Sequence, residues 1–338
     1  MQLTRRAAFT AGVGVAGALM TRQAAAWTPS PSYPDPAVEI IDPSFAKYRV
    51  GLAAVERLAT GFRWCEGPVW FGDQRQLLWS DIPNNKIMRW SEQSGEVEIF
   101  RNPANYTNGH SRDNGGRLIS CENLFRQVTR TEYGGSITVL AGTYEGKRLN
   151  APNDIVSKSD GSIWFTDPTF GISGNYEGRA QTPELPESIY RLDPDGTLTL
   201  LTTAIAGPNG LCFTPDESTF YVVEAKSKPN RLIWAFDVAG DGKTISNGHV
   251  LIDAGAGGTP DGMRCDVDGN LWVGWGMGKP ELNGVYVYNP QGVLIGRILL
   301  PERCGNLCFG GAERNRLFMA ASQSIYSLYV NTQGAVAF

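Results

Sequence analysis

Six times along the chain a polar residue opens a short strand pattern, and a tight turn follows at nearly the same interval. The openings are Glu66-Gly67, Asn108-Gly109, Asn153-Asp154, Asn209-Gly210, Asp261-Gly262 and Asn306-Leu307. They recur roughly 40–55 residues apart, the spacing of propellers and arrays. Turns follow at Gly72-Asp73, Asn114-Gly115-Gly116, Ser159-Asp160-Gly161, Pro215-Asp216, Asp268-Gly269 and Gly311-Ala312. The next strands read Leu77-Leu78-Trp79, Leu118-Ile119-Ser120, Ile163-Trp164-Phe165, Phe220-Tyr221-Val222, Leu271-Trp272-Val273 and Leu317-Phe318-Met319. A third strand pattern completes each unit, as in Ser188-Ile189-Tyr190-Arg191. This grammar predicts an all-β fold, a six-bladed β-propeller, and the oxygen atoms offered by four of its openings, Glu66, Asn153, Asn209 and Asp261, imply a metal site at one mouth of its central channel. The innermost strands of a propeller line that channel, so the six openings are expected to converge there.

Composition narrows the alternatives. Gly is 40 of 338 residues and Pro 20, without a collagen period, which marks turn-dense β structure rather than disorder. The net charge is −4 with both signs dispersed. No basic stripe argues for nucleic acid, so that partner class is set aside. The chain is long for one domain, but a single propeller absorbs it.

The first residues carry an address. Arg5-Arg6 precede a modestly apolar run over residues 7–20, and Ala24-Ala25-Ala26 offer a small-residue cleavage site. Residues 1–26 are therefore expected to be a twin-arginine export signal, read by the twin-arginine machinery and ending in the periplasm. The apolar run is too short to span a bilayer, so no stable membrane insertion is expected after cleavage. Residues 27–48, with five prolines, form an extended leader, and 49–338 the propeller domain.

Export raises the question of disulfides, since there are six cysteines. Cys65, Cys212, Cys265 and Cys308 fall in or beside inner strands and Cys121 in a middle strand, positions that suit buried free thiols. Cys304 and Cys308 are close in sequence, but a strand sets residues four apart at ~13 Å, beyond disulfide reach. Only a bend would bring that pair together.

Four openings present hard oxygen donors at one phase of the repeat: Glu66, Asn153, Asn209 and Asp261. Singly, Asn-Gly and Asp-Gly are turn dipeptides; together they form a ring of two carboxylates and two amides. Oxygen-only donors suit one divalent ion, Ca²⁺ first, with Mg²⁺, Mn²⁺ or Zn²⁺ as alternatives. Asn108 opens the second blade beside His110, a candidate hydrogen-bond donor or proton relay. Arg148 approaches the third opening and is a candidate for holding a hydroxylated or anionic substrate. Glu122 and Asp167 read as structural, and His249 as part of a turn on an outer blade edge. The segment 170–186 is too long for a hairpin turn and is expected to wall the site. A second crossing, 225–230, brings Lys226 and Lys228 over the mouth. No Gly-x-Ser-x-Gly elbow, His-Glu-x-x-His or phosphate-binding glycine loop is present, so those chemistries find no seat.

At these residues the chain resembles the gluconolactonase branch of the senescence marker protein (regucalcin), gluconolactonase and luciferin-regenerating enzyme family. Trp64-Cys65-Glu66-Gly67-Pro68-Val69-Trp70 is similar to its Glu-Gly-Pro-x-Trp segment, and Asn150-Ala151-Pro152-Asn153-Asp154 to its Asn-x-Pro-Asn-Asp segment. Pro208-Asn209-Gly210-Leu211 and Pro260-Asp261-Gly262 match two more. The resemblance implies Glu66, Asn153, Asn209 and Asp261 as metal ligands, with Asp261 also the catalytic base. It departs where the animal members carry a substrate-binding arginine, two residues before the Asn-Asp pair. This chain has Ala151 there, and Arg148 is the nearest candidate. The implied activity is metal-dependent hydrolysis of a sugar (aldono)lactone such as glucono-1,5-lactone. The alternatives are a related esterase or phosphotriesterase, or a calcium- or sugar-binding propeller without turnover.

Overall fold

A computed structural model of the chain describes residues 28–335. The export signal expected at 1–26 lies outside the described residues.

Six antiparallel sheets carry the fold, and their inner strands touch one another in a closed cycle. The expected six-bladed propeller is therefore the observed one. Blade I comprises Cys65–Phe71, Gln76–Asp81, Lys86–Ser91 and Val97–Arg101, and blade II Thr107–Arg112, Leu118–Glu122, Gln127–Thr131 and Ile137–Ala141. Blade III is Ile155–Ser157, Ile163–Asp167, Ser188–Leu192 and Leu198–Thr202. Blade IV is Pro208–Phe213, Thr219–Glu224, Leu232–Val238 and Ile245–Asp253. Blade V is Met263–Cys265, Leu271–Trp275, Gly284–Tyr288 and Leu294–Leu299. Blade VI joins both ends of the chain: Cys304–Gly310, Arg316–Ala321 and Ser324–Tyr329 are completed by Glu56–Thr60 on the outside, with Glu56 opposite Ser327.

Small details depart from the sequence reading. His249 sits mid-strand, opposite Ala235, rather than in a turn. Its ring is exposed because the last strand of a blade has no neighbour on its outer edge. Upstream, Val38–Ile40 adds a fifth strand to blade V, with Val38 opposite Ile298. The buried Asp35 carboxylate accepts from the Ala37 and Val55 amides, holding this segment down.

Aromatic side chains bind one blade to the next in a repeated contact. Trp164, on the second strand of blade III, meets Phe213 on the inner strand of blade IV edge-on at 4.9 Å. Trp272 of blade V meets Phe309 of blade VI the same way at 5.6 Å. At the closure, Phe318 of blade VI stacks on Trp70 of blade I at 5.1 Å. Such pairs contribute about 0.5–1.5 kcal/mol each beyond the area they bury. The six cysteines are buried and free.

Candidate active site

Glycine follows most of the opening residues for a reason that turn propensity does not supply. A Cβ on Gly67 would overlap the Asn108 carbonyl oxygen, and one on Gly109 would come within 2.5 Å of the Asn153 carbonyl oxygen. Gly210 abuts the Asp261 carbonyl in the same way, and Gly262 the Asn306 side chain. These glycines are the points of closest approach between adjacent inner strands, where only a hydrogen fits. They make a tight collar and aim the preceding side chains into the mouth.

The sixth opening is one residue out of phase with the others. Asn306 does not line the mouth. Its Oδ1 accepts from the next amide, Leu307, at 2.8 Å, as Asp154 Oδ1 does from Ile155 at 2.9 Å. Asn306 and Asp154 thus occupy collar positions, equivalent to the glycines. The position matching Glu66 in blade VI is Gly305, where a Cβ would lie 2.5 Å from Glu66 Oε1. The missing side chain leaves that carboxylate its place.

Glu66, Asn108, Asn153, Asn209 and Asp261 line one cavity of about 490 Å³. Three further walls close round it. The 170–186 segment contributes Phe170, Ser173, Gly174, Tyr176 and Glu177. It is folded on itself: the Gln181 amide donates to the Ile172 carbonyl at 3.0 Å, and Asn123 Nδ2 to the Glu177 carbonyl at 2.8 Å. Lys226 and Arg231 line it from blade IV, and Trp64, Met277 and Arg303 complete it. Lys228 is not among the lining residues.

Arg148 is not brought to this cavity. It lies in the exposed two-residue strand Lys147–Arg148, where its guanidinium donates to the Phe125 carbonyl at 2.9 Å and to Gln181 at 3.4 Å. The hairpin with Thr143–Tyr144 holds it on the rim. His110 is also elsewhere. Two residues beyond Asn108 on the inner strand, it lines a separate cavity of about 90 Å³ with Arg112, Cys212, Arg264 and Phe309. Its ring nitrogens lie 2.8 Å from Ser80 Oγ and 2.8 Å from Ser120 Oγ. Glu122 and Asp167 are structural as read. Glu122 accepts from Arg101, Asn105, Gln127 and Thr129, and Asp167 accepts from the Asn150 amide.

Arg303 and Glu177 were not singled out by the repeat pattern. Arg303 stands at the entry to the inner strand of blade VI, where it pairs with Asp261 and lies over the Trp64 ring at 5.1 Å. Its one sequence signal is its position just before Cys304, matching Trp64 before Cys65. Burial raises the pKa of Asp261, while Arg303 and Arg231 oppose that rise. Burial, then the Asp261 charge, pushes Glu66 well up. Two carboxylates held against their preferred charged state are what a bound cation would relieve.

The donor set fits such an ion. Among the described residues Glu66 Oε2 accepts only the Gly67 amide. Asn209 gives its Nδ2 to Asp261 Oδ1 at 2.7 Å, leaving its carbonyl oxygen for a ligand. Among the described residues no cluster of three or more His, Cys, Asp or Glu is placed to hold a metal, so an ion held here would need oxygens from the amides of Asn153 and Asn209 as well. Carboxylate with amide oxygen is the donor chemistry of hard divalent cations.

His110 yields a pH test. Burial, then the positive charge of Arg101, drops its pKa to about 3, against about 6.5 in an unfolded chain. Between those values the unfolded state takes up a proton that the native state refuses. Stability is therefore lost as pH falls from 6.5 toward 3, and none is lost through this group above 6.5. In urea titrations, wild type should lose stability relative to His110→Gln with a slope approaching ~1.4 kcal/mol per pH unit in that window. A pH-independent difference between the two would place the charge on His110 in the native state. Shared carboxylate effects cancel in the comparison.

Residues 64–323 match the SMP-30/gluconolactonase/LRE-like region. Gluconolactonase of Zymomonas mobilis is 30% identical over 303 residues, covering 83% of this chain and 82% of its own. Pentonolactonase of Haloferax volcanii is 24% identical over 265 residues, covering 78% and 83%. Among solved structures, a gluconolactonase from Xanthomonas campestris superposes with a TM-score of 0.79 at 35% identity, covering 87% of this chain and 94% of that one.

Proposed function

The chain belongs to the SMP-30/gluconolactonase/LRE-like family, and from that premise we propose that it hydrolyses the ester bond of a sugar lactone, such as glucono-1,5-lactone. The observation that carries the proposal is the ring itself. Glu66, Asn153, Asn209 and Asp261 converge in one cavity roomy enough for a monosaccharide, and relatives matching along most of the chain are named lactonases.

Glu66, Asn153, Asn209 and Asp261 would hold one divalent cation, Ca²⁺ first among the candidates. When bound, such an ion supplies Lewis-acid polarisation of a carbonyl group. Asp261 takes a proton from the water that attacks the lactone carbonyl. The acyl carbon–oxygen bond then breaks, the ring oxygen leaves as a hydroxyl by taking the proton held on Asp261, and the new carboxylic acid loses its proton to solvent and becomes a carboxylate. Arg303 favours the charged form of Asp261 against its burial, and the charged form is the one that can act as a base. Asn108, whose side chain makes no hydrogen bond among the described residues, is free to meet a substrate hydroxyl.

The test is lactone hydrolysis by purified protein stripped of metal and then supplied with Ca²⁺, Mg²⁺, Mn²⁺ or Zn²⁺ in turn. Activity lost on stripping and restored by one of these ions is the expected result, with Ca²⁺ restoring most. Full activity in the stripped protein would remove the ion from the mechanism. The same assay on fractionated cells tests the proposed periplasmic address. Activity should be periplasmic, and should remain cytoplasmic when Arg5 and Arg6 are both replaced by lysine.

A further inference from the structure

Three cationic side chains line the mouth, and two of them are already answered. Arg303 is paired with Asp261. Lys226 Nζ is paired with Glu187, lies 2.8 Å from Thr169 Oγ1 and sits over the Phe170 ring at 5.1 Å. Arg231 is the third. It stands one residue before the strand Leu232–Val238, half-buried in the cavity wall. Among the described residues its guanidinium makes no hydrogen bond and no ion pair.

Its electrical surroundings are unfavourable as they stand. Burial, then repulsion from Arg303, lowers its pKa, and only Asp261 attracts it. The Asp261 oxygens are already engaged by Asn209 and Arg303. Guanidinium does not escape by losing its proton, because it stays protonated throughout the pH range in which proteins are folded. A half-desolvated fork of five donors facing a cavity is a binding group in want of an acceptor. A sugar hydroxyl would meet one donor and leave the charge unanswered. A carboxylate would meet two donors in parallel and neutralise it.

We propose that Arg231 is a substrate-site residue that binds the carboxylate of a sugar acid, a reading that rests on the proposed lactonase activity. Such a carboxylate has two sources. Hydrolysis creates one in the aldonate product, and a lactone of an aldaric acid carries one before it reacts. In either case Arg231 takes the recognition role for which Arg148 was the candidate in the sequence.

Calorimetric titration with gluconate, and with the neutral polyol glucitol as control, tests the binding. Wild type, Arg231→Gln and Arg231→Lys are compared, with thermal melts to verify folding. Wild type should bind gluconate and not glucitol at the same concentration. Arg231→Gln should weaken gluconate by at least about tenfold, the loss expected for a charge-assisted hydrogen-bonded pair. Arg231→Lys should keep part of the affinity, because it keeps the charge without the fork.

Kinetics separate the two sources. If the product is the ligand, gluconate inhibition disappears in Arg231→Gln while KM for the neutral lactone moves little. If the substrate is the ligand, KM for a glucaric acid lactone rises by at least about tenfold more than KM for gluconolactone. Either pattern supports the assignment. No gluconate binding to wild type, or equal binding by wild type and Arg231→Gln, overturns it. Gluconate bound through Arg231 by a protein that hydrolyses no lactone would sink the lactonase reading and leave this one standing. Lactone hydrolysis with an indifferent Arg231→Gln would do the reverse.

Discussion

Asp261→Asn lowers lactone turnover by roughly 10²–10⁴ at saturating cation, the scale on which loss of a general base is felt. The substitution keeps a side-chain oxygen within reach of Asn209 Nδ2 and removes the carboxylate that pairs with Arg303. Cation affinity should fall too, because the ring loses one of its two lining carboxylates at this level, so the comparison is made with cation in excess. Glu66→Gln removes the same charge from a residue whose other contact is the Gly67 amide. Excess cation should restore most of the activity of Glu66→Gln and little of that of Asp261→Asn. Equal restoration of both would mean that the two carboxylates share one role. Glu177, on the wall of the same cavity, would then be the first place to look for the base.

Gly210→Ala should be strongly damaging, although it adds only a single methyl to the channel. Its Cβ would overlap the carbonyl oxygen of Asp261 and crowd the Gly262 Cα. Neither neighbour is a flexible side-chain end that can swing aside; both are backbone of the next blade. Over-packing of a well-filled interior usually costs 1–3 kcal/mol, and overlap with backbone puts this variant at about 3 kcal/mol or more. Any relief must come from moving the strand that carries Asp261, so activity should fall alongside stability. Gly240→Ala is the control, since nothing lies within 4 Å of a Cβ there. Denaturant unfolding checks both. A Gly210→Ala protein as stable and as active as the control would mean that the blades are not in contact at the collar.

How far the sequence could be read depended on what each residue answers to. The blades were legible because strand alternation and Asp-Gly or Asn-Gly turns are local signals, repeated often enough to fix their phase. Five of the six openings were legible for the same reason. Asn306 was misplaced because Asn-Leu resembles the other openings, whereas its blade has Gly305 at the equivalent position and Arg303 ahead of it. Arg303, Arg231 and Glu177 were not singled out. Arg231 and Glu177 reach the cavity from outside the repeat phase, at the end of a crossing and in an inserted segment, whereas Arg303 shares the phase of Trp64 but not its residue type. What aims them inward is the curvature of the ring, which no short stretch of sequence encodes. Arg148 is the converse case, near the right motif in sequence but held on the rim by its hairpin. Glu56–Thr60 could not be assigned to blade VI, because its partner Ser324–Tyr329 lies at the far end of the chain.

That last pairing bears on how the protein comes into being. Glu56–Thr60 emerges early in synthesis and cannot find its neighbour until Ser324–Tyr329 has been made. Until then blade VI does not exist, blades V and I lack the sheet between them, and Trp70 waits for Phe318. The loop closed by this pairing spans nearly the whole described chain, so its entropic cost falls on one late event. The clasp also makes the point of chain entry arbitrary. With the present ends joined by a linker, new ends cut in an exposed turn between other blades should leave the same ring, with its order of birth rearranged.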